Sequence, residues 1–143
     1  MNSLTHFELD PRLNHDCFTL GHLKTSRLLL LNNALVPWFI LVPDTAVTEI
    51  YQLPQIQQLE LLEEINLLSD YLYKNFTVDK LNIASIGNIV NQMHIHLVAR
   101  RIGDFCWPGV VWGADGRQTY DPSQVAAIKS KLIDQLGGVF SPC

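Results

Sequence analysis

Gln92-Met93-His94-Ile95-His96-Leu97-Val98 is the stretch on which the fold turns. Read as a strand, its side chains alternate between two faces. Gln92, His94 and His96 then share one face, while Met93, Ile95, Leu97 and Ala99 share the other. The second face is uniformly apolar, so it is the side on which helices pack. The first carries two imidazoles and an amide in a row, their α-carbons roughly 6.6–6.8 Å apart along the strand. Two of the five histidines in the chain lie here.

Working outward, the neighbouring segments supply partners for this strand, which is expected over residues 90–99. Lys80-Leu81-Asn82-Ile83-Ala84-Ser85-Ile86 reads as another strand, ended by Gly87-Asn88. Further upstream, Arg27-Leu28-Leu29-Leu30-Leu31-Asn32 is short, apolar and stopped by two asparagines. After Pro37, Trp38-Phe39-Ile40-Leu41-Val42 is aromatic and β-branched, and Pro43-Asp44 ends it. These two segments are close in sequence and predict an antiparallel pair joined by a 32–36 loop. Asp44 or Thr45 could cap a short helix through Val47 and Ile50.

From Pro54 the period changes. Ile56, Leu59, Leu62, Ile65, Leu68 and Leu72 recur at steps of three and four, with Gln57, Glu60, Glu63, Glu64 and Asp70 opposite. This predicts an amphipathic helix of about twenty residues, with Pro54 near its first turn and the apolar stripe in the core. Asp121-Pro122-Ser123-Gln124 is a strong helix start, and Gly137-Gly138 a stop, framing a second helix over about 122–136. The sum is an α+β chain, an antiparallel sheet of about five strands with two main helices, in one domain over 1–143.

Composition narrows the function classes. The 143 residues are 48% hydrophobic and 17% charged, which suits a folded globular chain. A net charge of −4 argues against a non-specific nucleic-acid or anionic-membrane binder. The apolar runs of the first half, residues 28–31 among them, are far short of the ~20 residues a bilayer span needs. Cys17, Cys106 and Cys143 have no metal-ligand spacing and suggest a reducing compartment. Met1-Asn2-Ser3-Leu4-Thr5-His6 lacks a signal pattern, so a cytoplasmic location is expected.

For the histidine face, the residues alone leave three readings open. His94 and His96 could ligate a metal, although metal sites usually take three or four ligands. They could be hydrogen-bonded groups on a half-exposed sheet face. Or a neutral imidazole could act as a nucleophile while its neighbour binds developing charge.

The stretch and its flanks resemble the histidine triad (HIT) motif, His-φ-His-φ-His-φ-φ with φ apolar, of nucleotide hydrolases and transferases. Gln92, His94 and His96 take the three triad slots, and Ile95, Leu97 and Val98 match φ positions. Asn82 lies near the place of a family asparagine, and Gly87-Asn88 takes the place of a Gly-Gln pair. Phe39-Ile40-Leu41-Val42-Pro43 resembles the family's early hairpin, and Trp107-Pro108 falls where many members have Trp-Pro. Residues 20–112 are covered in this way.

The resemblance implies a HIT-like fold, no cofactor, no metal, a nucleotide substrate and a homodimer. It implies that His94 attacks the α-phosphorus to form a covalent nucleotidyl-histidine, which water or another acceptor then resolves. Imidazole suits this task, being largely neutral and nucleophilic at physiological pH. His96 would donate to a non-bridging phosphate oxygen. Asn82 and Asn88 would contact ribose or phosphate oxygens. Asn33, in the region of a family acid, would accept from ribose hydroxyls; turn chemistry is the competing role for these asparagines. Gln92 departs from the pattern, since glutamine cannot carry a proton in this range. Were the first slot a proton relay, its loss would cost about 10²–10⁴ in rate and leave a nucleotide-binding module. Arg100 falls in register with His96; it is expected as a solvated surface charge, or else as a charge on the substrate side. Trp107 and Trp112 could stack on a base or pack.

Overall fold

A computed structural model describes residues 7–143; residues 1–6, on which the expectation of no signal segment rests, lie outside the described residues. In chain order the elements are α1 (Pro11–Asp16), β1 (Cys17–His22), β2 (Ser26–Leu31), β3 (Trp38–Pro43), α2 (Gln55–Asn75), β4 (Lys80–Ser85), β5 (Ile95–Arg100), α3 (Pro122–Leu136) and β6 (Ser141–Pro142). The six strands form one antiparallel sheet in the order β4-β5-β3-β2-β1-β6. The α+β expectation holds, with one strand more than the five counted from sequence.

The β2–β3 pair forms as expected, Leu28 facing Leu41 and Leu30 facing Phe39. β3 also pairs with β5, placing Trp38 opposite Val98 and Ile40 opposite His96. The apolar face of β5 is the helix side: Ile95, Leu97 and Ala99, with Met93 from just before the strand, pack with Leu61, Leu68, Tyr71 and Leu72 of α2 and Leu132 of α3. The opposite face is not open. Trp38, Ile40, Val42 and Val98 form a second core with Leu13 of α1 and Val111, joined by Trp112 and Phe105.

Three expectations need correction. β5 begins at Ile95, not residue 90, because residues 86–94 form the connection from β4. The Gln92 carbonyl there faces the His94 ring at 2.7 Å. The short helix through Val47 and Ile50 reduces to a 3-10 turn, Ile50–Gln52. In α2 the buried line runs through Leu61, Glu64, Leu68, Tyr71 and Leu72, so the predicted stripe is rotated off in its first two turns. Ile56, Leu59 and Leu62 are 62%, 50% and 52% exposed, while Glu64, expected on the solvent face, is buried. Glu64 can be buried because Thr25 N–H, the Thr25 hydroxyl and the Ser26 hydroxyl all donate to its Oε1. Burial pushes its carboxyl above the usual range, and these bonds oppose the shift.

Candidate active site

β5 and the loop before it position the two histidines. His94 ends the loop and His96 is the second residue of the strand, and the ring centroids are 4.9 Å apart. Both are buried. The His94 Nδ1 lies 2.7 Å from the Gln92 carbonyl oxygen, and a carbonyl only accepts. The Nδ1 therefore holds the proton, which leaves the lone pair on Nε2. His96 is held in the opposite tautomer. The Trp38 indole N–H can only donate, and it donates to His96 Nδ1 at 2.9 Å. The proton of neutral His96 is thus on Nε2. One imidazole presents a lone pair at Nε2, and its neighbour presents an N–H.

Trp38 was not singled out in the sequence, because its role depends on the β3–β5 pairing across some sixty residues. Trp112 packs edge-on to His96, centroids 5.4 Å apart, and to Trp38 at 5.8 Å. Its role here is packing, and its indole Nε1 is buried without a hydrogen-bond partner among the described residues.

His94 lies on the wall of a cavity of about 260 Å³ with Gln92, Asn88, Asn91, Gly87, Ser85, Met93, Thr48 and Glu49. The wall brings together His94, Gln92 and Asn88 and does not include His96, Asn33 or Asn82. A cavity of about 340 Å³ elsewhere, between the β1–β2 turn and the start of α2, holds none of these residues. The two remaining asparagines are committed to protein contacts. Asn33 is buried; its Oδ1 accepts from Leu35 and Gln118 N–H at 3.2 and 3.3 Å, and its Nδ2 donates to the Gly116 carbonyl. Asn82 Oδ1 accepts from Arg100 Nη1 at 2.9 Å.

Arg100 is not a solvated surface charge. Only 1% exposed, it donates from Nε and Nη2 to the two Asp104 carboxylate oxygens at 2.8 and 3.0 Å. Its guanidinium also lies 5.5 Å from the Trp107 ring centroid. The charge is spent on Asp104, which in turn is held below the usual carboxylate range chiefly by the Arg100 hydrogen bond. Among the described residues no group of three or more His, Cys, Asp or Glu side chains could hold a metal ion.

Residues 12–103, well over half of the chain, match the HIT domain family. The chain belongs to the histidine triad family. A histidine triad protein from Bradyrhizobium japonicum is 38% identical with a TM-score of 0.86, covering 90% of this chain and 97% of its own. One from Sinorhizobium meliloti is 36% identical with a TM-score of 0.88, covering 92% and 98%. One from Marinobacter aquaeolei is 41% identical with a TM-score of 0.88, covering 93% and 98%. No curated protein matches the chain.

In this HIT protein the electrostatics of His96 have a measurable consequence. Burial, and then the neighbouring His94, push the His96 imidazole down to about 4. An imidazole in the unfolded chain takes up its proton near pH 6.5. Between those values the unfolded chain binds the extra proton, so stability falls as pH drops from about 6.5 to about 4 and levels off below. The full span corresponds to about 3 kcal/mol. His96→Asn, whose amide oxygen can still accept from Trp38, should lack this dependence. In urea titrations, the stability difference between wild type and variant is expected to shift by about 2 kcal/mol in the variant's favour between pH 7 and pH 4.5. An unchanged difference would place the His96 protonation elsewhere.

Proposed function

We propose that the protein is a hydrolase or nucleotidyl transferase acting at the α-phosphate of a nucleotide-containing substrate. The observation that carries this reading is the pair of opposed tautomers at His94 and His96. The His94 Nε2 lone pair attacks the α-phosphorus, the bond to the leaving group breaks, and a nucleotidyl-imidazole forms. The positive charge that develops on the ring is met at Nδ1–H by the Gln92 carbonyl, 2.7 Å away. His96 stays neutral throughout the physiological range and offers its Nε2–H to a non-bridging oxygen. Water or another acceptor then attacks phosphorus, the P–N bond breaks, and His94 is restored. Asn88, on the same wall as His94, is a neutral donor for ribose or phosphate oxygens. Asn33 and Asn82 remain in the proposal as residues that hold the surroundings, since each already has protein partners.

A leaving-group preference follows from Gln92. With no titratable group at that position, the enzyme has no proton to give a basic leaving group from there. Phosphoanhydrides, whose phosphate leaving groups depart without protonation, should outrank phosphoramidates, whose amines require it. A panel of dinucleoside polyphosphates and nucleoside phosphoramidates, followed by nucleotide release, tests this. Turnover of the anhydrides above the phosphoramidates is expected; turnover of neither would leave the second reading, a nucleotide-binding module without catalysis.

Two further features belong to the same proposal. No helix among the described residues is long and apolar enough to cross a membrane, and we place the protein in the cytoplasm. We also assign a homodimer: β4 is an edge strand with one side unpaired, and Ile56, Leu59, Ile83 and Ile89 are exposed. Light scattering at micromolar concentration should give twice the chain mass, and a monomer would refute the assignment.

A further inference from the structure

The carboxamide of Gln92 is spent at both ends on a distant main chain. Its Oε1 accepts from the Asp10 N–H at 2.9 Å, and its Nε2 donates to the Glu8 carbonyl at 2.8 Å. A residue's carbonyl and the N–H two positions on point to the same side of an extended chain. An amide matches that edge as another peptide group would. Arg12 pins the same segment to the same loop, donating from Nη1 to the Ile89 carbonyl at 2.9 Å. The Gln92 main-chain carbonyl, meanwhile, is the acceptor that fixes the His94 tautomer. No strand ladder holds this carbonyl, because β5 begins only at Ile95.

We propose that residues 8–10 form a tether that acts through Gln92 to position His94, making Gln92 a positioning residue rather than a lost proton relay. The proposal rests on the catalytic reading of His94. With the tether in place the Gln92 carbonyl stays on Nδ1–H, and the lone pair stays on Nε2. Without it the loop holding Gln92 loses two of its long-range bonds, and the ring is free to exchange tautomers. Glutamine is well suited to this task, offering donor and acceptor side by side at any pH. Glutamate would lose the donor and set a carboxylate against the Glu8 carbonyl. Histidine offers one donor and one acceptor, but their directions diverge across the ring.

The test is ¹⁵N NMR of the His94 ring together with steady-state kinetics on a dinucleoside polyphosphate, in wild type and in Gln92→Met, Gln92→Glu and Gln92→His. Wild type should show a single Nδ1–H tautomer. Gln92→Met should show mixed tautomers, with kcat down about 10–100-fold and KM changed far less. Gln92→His should also lower kcat, whereas a broken relay would be repaired by it. A second pair of variants approaches the tether from its other end. Asp10 has φ −53°, which proline accepts, so Asp10→Pro deletes the N–H that Asp10→Ala keeps. The proline variant should show more tautomer mixing and a lower kcat than the alanine variant. An unchanged His94 tautomer in both Gln92→Met and Asp10→Pro, or a rise in kcat in Gln92→His, would overturn the tether. If wild type turned over no nucleotide, the catalytic reading would fail, while the tautomer comparison would still decide whether the tether orders His94.

Discussion

His94→Ala is expected to lower kcat/KM for a dinucleoside polyphosphate by about 10⁴–10⁶, the scale on which enzymes lose activity when a covalent nucleophile is removed. No neighbouring side chain can replace it. His96 sits 4.9 Å away between ring centroids, but its Nδ1 is occupied by the Trp38 indole and its Nε2 carries the proton. Burial and proximity to His94 work against a second positive charge there, as its displacement to about 4 reflects. The variant should still bind nucleotide, since Asn88 and the rest of the cavity wall are untouched. Loss of turnover with retained binding, read by calorimetry with a nonhydrolysable analogue, separates chemistry from recognition. Residual activity within tenfold of wild type would remove His94 from the nucleophile's role.

Asp104→Ala should produce the largest loss of stability. Arg100 is 1% exposed and Asp104 is 7% exposed, so deleting the carboxylate leaves a buried guanidinium with Asn82 Oδ1 as its remaining oxygen acceptor. Breaking a buried pair in this way costs about 3–5 kcal/mol, which for a chain of this length lowers Tm by roughly 10 °C. Replacing both partners, Arg100→Met with Asp104→Leu, removes the uncompensated charge and should restore much of that loss. A double variant as unstable as Asp104→Ala would mean that the pair itself, rather than the orphaned arginine, sets the cost. The site should feel the single substitution too. Asp104 accepts from the Arg101 and Cys106 main chain, ordering the turn that leads to Val111 and Trp112 against the histidine face.

Much of the architecture was legible because it rests on local patterns. The β2–β3 pair, β4, the length of α2 and the start of α3 each follow from apolar runs, proline, asparagine or capping residues within a few positions. One local signal went unread: Asp10-Pro11 repeats the Asp121-Pro122 start of α3, and it opens α1 with the Asp10 side chain accepting from Arg12 N–H. The stripe of α2 misled for a different reason. Helical period fixes which residues share a face, but Thr25 and Ser26, some forty positions upstream, decide that Glu64 can be buried.

At the site, His94 and His96 were visible as a spacing, and their surroundings were not. The Trp38 bond to His96 depends on sheet register across 58 positions, and the Gln92 bonds to residues 8 and 10 cross 84 and 82. Alternation along a strand grouped Gln92 with the histidines, yet Gln92 lies in the loop before β5 and points its amide at the N-terminal segment. Arg100 was legible as being in register with His96 but not as buried, because Asp104 and Asn82 come from a turn and a neighbouring strand.

The central claim is a covalent bond between His94 and the nucleotide. The direct measurement is mass spectrometry of the protein quenched in acid-free denaturant within seconds of mixing with a dinucleoside polyphosphate, followed by peptide mapping. One nucleoside monophosphoryl group per chain, on the peptide holding His94 and absent from His94→Ala, is the predicted result. Turnover without any adduct, or an adduct that persists in His94→Ala, would contradict it.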